Sequence, residues 1–119
     1  MDKDSNTHSL QNGTPKGPLS GIKVIDWTLW QFGPVAAMML GDLGADVIKV
    51  EALSGEQGRA MFTLSGIDRS LPGGRNSYFE ANQRNKRSIA LDLKQPEGVE
   101  VVRNLVSGAD IFLQNYRKG

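Results

Sequence analysis

The sequence predicts an α/β fold built on a doubly wound parallel sheet, and three observations carry that expectation. Two strand-helix-strand patterns follow one another, the first over 22–51 and the second over 88–114. The links inside each pattern are short, which favours parallel pairing of the strands through a crossover helix. The segments that follow the strands are polar or glycine-bearing, as suits the carboxyl edge of an open parallel sheet, where ligands bind.

Each element has a local reason. Residues 1–18 are rich in Ser, Asn, Gly and Pro and too polar to join a core, so they are expected to form a disordered polar tail ahead of a folded part at 19–119. Ile22-Lys23-Val24-Ile25-Asp26-Trp27 reads as a buried strand. Gly33-Pro34 then opens a helix whose apolar residues Val35, Met38, Met39 and Leu43 are expected on its inner face, and Gly44 ends it. Ala45 to Glu51 supplies the second strand through Val47, Ile48 and Val50. Residues 52–80 hold five glycines, Pro72 and scattered charges, long for a connector and expected to be a functional loop or a cover over a site. Within it, Ser54-Gly55-Glu56-Gln57-Gly58-Arg59 is equally compatible with a surface turn. Ser88 to Leu93 alternates as a third strand, Pro96 to about Ser107 as a helix with Val99, Val102, Leu105 and Val106 inward and Gly108 as its cap, and Asp110 to Gln114 as a fourth strand. The chain stops at Arg117-Lys118-Gly119 just after that strand, and it reads as the front part of a larger protein.

Composition narrows the chemistry. In 119 residues, 14 Lys and Arg face 13 acids, so a net charge of +1 exerts no general pull toward nucleic acid or membrane. There is no cysteine, and the single His8 lies in the tail, which leaves no basis for a disulfide, a thiolate- or His-based metal site or a Ser-His dyad, and no metal is expected. No apolar run approaches the roughly 20 residues of a membrane span, and Met1-Asp2-Lys3-Asp4 leads into no signal-peptide core, so the expected compartment is the cytoplasm. Asn12-Gly13-Thr14 matches a glycosylation acceptor but reads as part of the polar tail.

The cationic cluster Arg84, Lys86 and Arg87 precedes the third strand, and it is the most conspicuous candidate for an anion site; a solvated turn or ion-pair braces are the alternatives. Tyr78 and Phe79 lack the regular interleaving of a nucleic-acid stacking platform. The turn after the first strand, Trp27-Thr28-Leu29-Trp30-Gln31-Phe32-Gly33, lacks the G-x-G-x-x-G of a dinucleotide site, so Glu51 is a weak ribose-binding candidate. Trp27, Trp30, Met38 and Met39 read as packing residues.

Pro18-Leu19-Ser20-Gly21-Ile22-Lys23-Val24-Ile25-Asp26, Gly33-Pro34, the run Leu40 to Glu51, Asn85-Lys86-Arg87-Ser88-Ile89, Leu91-Asp92-Leu93-Lys94 and Asn115-Tyr116-Arg117 together resemble the start of a family III CoA-transferase, the CaiB/BaiF and formyl-CoA transferase group. The resemblance implies a Rossmann-like sheet in an interlocked homodimer about three times this length. It also implies coenzyme A or an acyl-CoA as substrate together with a carboxylic acid, no tightly bound cofactor, and an aspartate nucleophile that lies beyond residue 119. On that reading the chain alone is inactive. Gln31 and Phe32 match the loop near the thioester, Gln31 as an auxiliary only. Leu91, Asp92, Leu93 and Lys94 match the strand end at the adenine and ribose, and Asn115, Tyr116 and Arg117 a second stretch along the nucleotide. Ala52 stands where formyl-CoA transferase has an arginine for CoA, with Arg59 a possible substitute. Lys118 and Gln83 depart from the usual Pro and Asn. An α-methylacyl-CoA racemase of the same family and a non-catalytic nucleotide-binding module are the alternative functions.

Overall fold

The computed structural model describes residues 17–118. The tail expectation, His8 and Asn12-Gly13-Thr14 fall outside those residues, except at Gly17 and Pro18. Gly17 belongs to the folded body: it lies so close to the Leu43 carbonyl that a Cβ would overlap it.

In chain order the elements are β1 (Lys23–Trp27), α1 (Phe32–Asp42), β2 (Asp46–Glu51), a 3-10 turn (Gln57–Ala60), β3 (Thr63–Leu64), β4 (Ile67–Asp68), β5 (Ser70–Leu71), β6 (Arg75–Asn76), α2 (Ser77–Gln83), β7 (Lys86–Ala90), α3 (Pro96–Ser107) and β8 (Ile111–Gln114). Four strands form one parallel sheet in the order β7-β2-β1-β8. The chain moves outward from β1 to β2 to β7, then returns through α3 to the other side of β1. Strand order therefore reverses between β1 and β8, and the carboxyl ends of those two strands form the crevice where open α/β sheets take ligands.

The two faces of the sheet differ. Val24 and Val47, paired in register, meet Ala37 of α1 and Ala45 in a small apolar core that Leu40, Ile111 and Leu113 extend. Ile25 and Ile48, one position along, point to the opposite face, where Leu105 of α3 shares a cavity with them. Helices thus cover both faces, as the doubly wound expectation requires.

Four expectations are corrected. The buried stripe of α1 is Pro34, Ala37 and Met38, whereas Met39 and Leu43 are exposed. Small Ala37 lets the helix come close to the sheet, which rotates the stripe by about one position from the one marked by bulk. Segment 52–80 is not one long loop, because it contains the 3-10 turn, two short hairpins and the start of α2. Asn76 caps α2 by accepting a hydrogen bond from Phe79 N at 2.8 Å. β7 begins at Lys86, because register with β2 pairs Lys86 with Val47 and Ala90 with Glu51; Leu91 to Lys94 follow the strand. Finally, α3 has no fully buried residue: Val99, Val102 and Val106 face Trp27 and Leu93 across a gap of about 410 Å³.

Candidate functional site

At the carboxyl edge of the sheet, Ala52, Leu53 and Ser54 after β2, Leu91 to Lys94 after β7, and Trp27 and Tyr116 flanking the crevice line one open cavity of about 440 Å³. Six of the residues singled out from sequence meet there: Ala52, Leu91, Asp92, Leu93, Lys94 and Tyr116. Tyr116 packs on Trp27 with ring centroids 4.8 Å apart at 42°, and Phe112 flanks the same indole at 6.3 Å. Burial raises the pKa of the Tyr116 phenol, and the carboxylate of Glu56 adds to the effect, so the ring stays neutral. Asp92 spends one carboxylate oxygen on the backbone N–H of Lys94 at 3.0 Å, which fixes the turn, and Lys94 is the cationic residue of the cavity lining. Trp27 is missed in the sequence, and Leu53 and Ser54 are covered only as part of the polar segment that follows the second strand. Trp27 reads as packing, and the other two carry no pattern of their own.

The remaining predicted site residues go elsewhere. The Asn115 carboxamide grips the backbone of the turn after β1, accepting from Leu29 N at 2.9 Å and donating to Leu29 O at 2.8 Å. Arg117 is exposed and outside the cavity lining. Gln31 takes the N-cap position of α1 without capping it through its side chain, and Phe32 is 92% exposed. Gln31 instead lines a second cavity of about 430 Å³ with Arg69, Ser77, Tyr78 and Asn82.

The cationic cluster is not an open anion site. Arg84 pairs with Asp42 at 2.6 Å, Lys86 with Asp26 at 2.8 Å and Arg87 with Asp46 at 2.7 Å, so each charge is already matched within the chain. Lys86 and Arg87 alternate along β7 and leave it on opposite faces, which prevents them from converging on one ligand. Arg59 does not replace the cation missing at Ala52: its guanidinium makes a two-point contact with Glu51 at 2.6 and 2.7 Å and lies 4.2 Å from the centre of the Phe79 ring. The same contact removes Glu51 as a ribose acceptor.

Beneath the turn after β1 lies a buried polar frame. Asp26, Lys49, Glu51 and Glu56 are all under 7% exposed. Lys49 Nζ meets Glu56 Oε2 at 2.5 Å and donates to Thr28 O at 2.9 Å; Asp26 accepts from Thr28 N at 3.1 Å and from its hydroxyl at 2.5 Å. Glu56 also accepts from Trp30 N at 3.0 Å and from Gln83 at 3.1 Å, so the segment 54–59 is no mere surface turn. Lys86 donates to Asp26, Gln83 and the Pro34 carbonyl, each at 2.8 Å. Burial lowers the Lys86 pKa, and the hydrogen bond and charge of Asp26 oppose the shift. With Asn115 added, both polar backbone groups of Thr28 and Leu29 and the Trp30 N–H are held by side chains. Trp30 needs that grip, because a bulky residue at φ +67° is strained.

Fold and cleft define an α/β protein with an open cleft at the carboxyl edge of a parallel sheet. Residues 19–119 match the model of CoA-transferase family III, and the chain belongs to that family. It is 45% identical over 107 residues to the succinate–glutarate CoA-transferase of Agrobacterium fabrum, an alignment covering 87% of this chain and 26% of the relative. It is 40% identical over 103 residues to the human succinyl-CoA:glutarate CoA-transferase, covering 86% and 22%. Among solved structures, a CaiB/BaiF family protein from Brucella suis superimposes with a TM-score of 0.72 at 38% identity, covering 85% of this chain and 26% of that one. Rv3272 from Mycobacterium tuberculosis gives 0.76 at 38% identity, covering 89% and 28%. The chain therefore spans between 22% and 28% of the length of these relatives.

Proposed function

We propose that the full-length protein transfers coenzyme A between carboxylic acids and that this chain supplies the seat of the nucleotide. The observation that carries the reading is the convergence of Ala52, Leu91 to Lys94 and Tyr116 on one cleft beside the point where strand order reverses. The Trp27–Tyr116 pair offers aromatic faces to an adenine, and Lys94 offers a charge-assisted hydrogen bond to a phosphate. The relatives named above support short dicarboxylic acids as donor and acceptor.

The chemistry proposed with it is covalent catalysis by an aspartate beyond residue 119. Its carboxylate attacks the acyl-CoA carbonyl, the C–S bond breaks, and an acyl–aspartyl anhydride and a CoA thiolate result. The thiolate then attacks the aspartyl carbonyl, releasing the donor as a carboxylate and leaving CoA on the enzyme as a thioester. The acceptor carboxylate and the returning thiolate run the same two steps in reverse, forming the new acyl-CoA and restoring the aspartate. In this chain Gln31 is the auxiliary donor to the reacting acyl group. The assembly proposed is the interlocked homodimer, in the cytoplasm.

The test is isothermal titration of full-length enzyme with CoA. Lys94→Ala combined with Tyr116→Ala is expected to weaken binding roughly 10-fold or more, from the loss of one charged hydrogen bond and one stacking contact. Unchanged affinity overturns the seat, and absence of CoA transfer to any carboxylic acid overturns the reaction.

A further inference from the structure

Among the described residues, a single buried side-chain polar atom lacks a partner: Arg69 Nε. Buried donors are almost always satisfied, and leaving one unmade costs the full desolvation of the group. Of the twelve Lys and Arg side chains among the described residues, six have a carboxylate within ion-pair distance and six, Arg69 among them, have none. Its neighbour Asp68 makes no ion pair with it, one carboxylate oxygen accepting from Ser70 N at 2.9 Å.

Arg69 is also firmly placed. Its N–H donates to Phe62 O at 2.7 Å and its carbonyl accepts from Ser77 N at 2.8 Å, tying the strip between the two hairpins to the start of α2. The side chain lines the same cavity of about 430 Å³ as Gln31, together with Ser77 and Tyr78. A guanidinium presents a planar fork of donors that matches a carboxylate and has no acceptor of its own, so the ligand group that suits its place on the cavity wall is an anion.

We propose that Arg69 reads the far carboxylate of a dicarboxylic substrate whose reacting carboxyl lies at Gln31. The assignment rests on the transferase reading, in which Gln31 faces the acyl group, and it adds a specificity-determining residue to that site. The subsite separates diacids from monoacids of equal length, because only the diacid brings a second carboxylate to the guanidinium.

The experiment uses the full-length enzyme with glutarate and valerate as competing acceptors. In the wild type, kcat/KM is expected to favour glutarate. Arg69→Leu is expected to raise KM for glutarate roughly 10- to 100-fold with kcat, the KM for valerate and the affinity for CoA little changed. Arg69→Lys, which keeps the charge without the fork, is expected to recover part of the loss. Equilibrium titration of wild type and Arg69→Leu with glutarate gives a second readout that needs no turnover and reveals whether the variant has kept its fold through its CoA affinity. Equal losses for both acids, or no loss for either, overturn the subsite while leaving CoA transfer intact. A wild-type enzyme that transfers CoA to neither acid and binds neither overturns the subsite together with the reading beneath it.

Discussion

At the scale of single residues, Asn115 separates two roles that sequence alone merges. Its carboxamide is spent on both backbone groups of Leu29, so it holds the turn that carries Gln31. Asn115→Ala in the full-length enzyme is therefore expected to lower kcat about 10-fold while changing the CoA dissociation constant less than about 2-fold, the loss of two neutral hydrogen bonds acting on positioning. A weakened CoA affinity at unchanged kcat would place the side chain on the nucleotide instead. Glu51 gives a pH prediction. Burial alone raises its pKa, but the hydrogen bonds from Arg59 and Glu56 N and the charges of Arg59 and Lys49 outweigh it and hold the carboxyl below its ordinary 4.5. A depressed folded-state pKa contributes stability above the unfolded value and loses it as pH falls through the folded one. The stability gap between wild type and Glu51→Gln, read from urea midpoints, should accordingly be widest above pH 4.5 and close at lower pH.

At the scale of elements, α2 depends on one side chain. Asn76 is 1% exposed, caps the helix through Phe79 N, and donates to the carbonyls of Gly58 at 3.1 Å and Arg59 at 2.7 Å. Asn76→Ala leaves an uncapped helix and an unpaired Arg59 carbonyl, while Gly58 O keeps only Met61 N, a cost of about 2–4 kcal/mol, and hydrogen exchange of the α2 amides should quicken accordingly. Sequence periodicity gave β1, β2, α1 and α3 nearly to their ends, because apolar spacing and Gly or Pro punctuation act locally. It missed α2, although Asn76 followed by Glu80 is a legible helix start, because glycines and Pro72 dominate the segment around it. It misplaced the start of β7, since Lys86 and Arg87 look like loop residues until strand register buries one of them against Asp26, sixty positions away.

At the scale of the molecule, the crevice between β1 and β8 and the charged frame under it form one arrangement. The frame sets three carboxylates, Asp26, Glu51 and Glu56, against Lys49, Lys86 and Arg59. Buried ion pairs are costly to desolvate, so such a frame contributes definition of the turn more than stability. Removing one partner is a different matter: Lys49→Met strands Glu56 and is expected to destabilise the protein by about 3–5 kcal/mol, whereas Lys49→Met with Glu56→Leu should recover much of that loss in chemical denaturation. None of this was legible from spacing, because charged residues inside apolar strands look like interruptions until their partners are known. The strand-end residues were legible, since the sheet rule depends only on strand order and direction, yet which of them face the cleft depends on side-chain direction.

The central claim is that the nucleotide of coenzyme A sits at this carboxyl edge. A crystal structure of the full-length enzyme with CoA tests it most directly: the adenosine is expected between Leu91 to Lys94 and the Trp27–Tyr116 pair, with the pantetheine running toward Gln31. Density for the adenosine on the opposite rim of the sheet, or on α3 away from Tyr116, contradicts it.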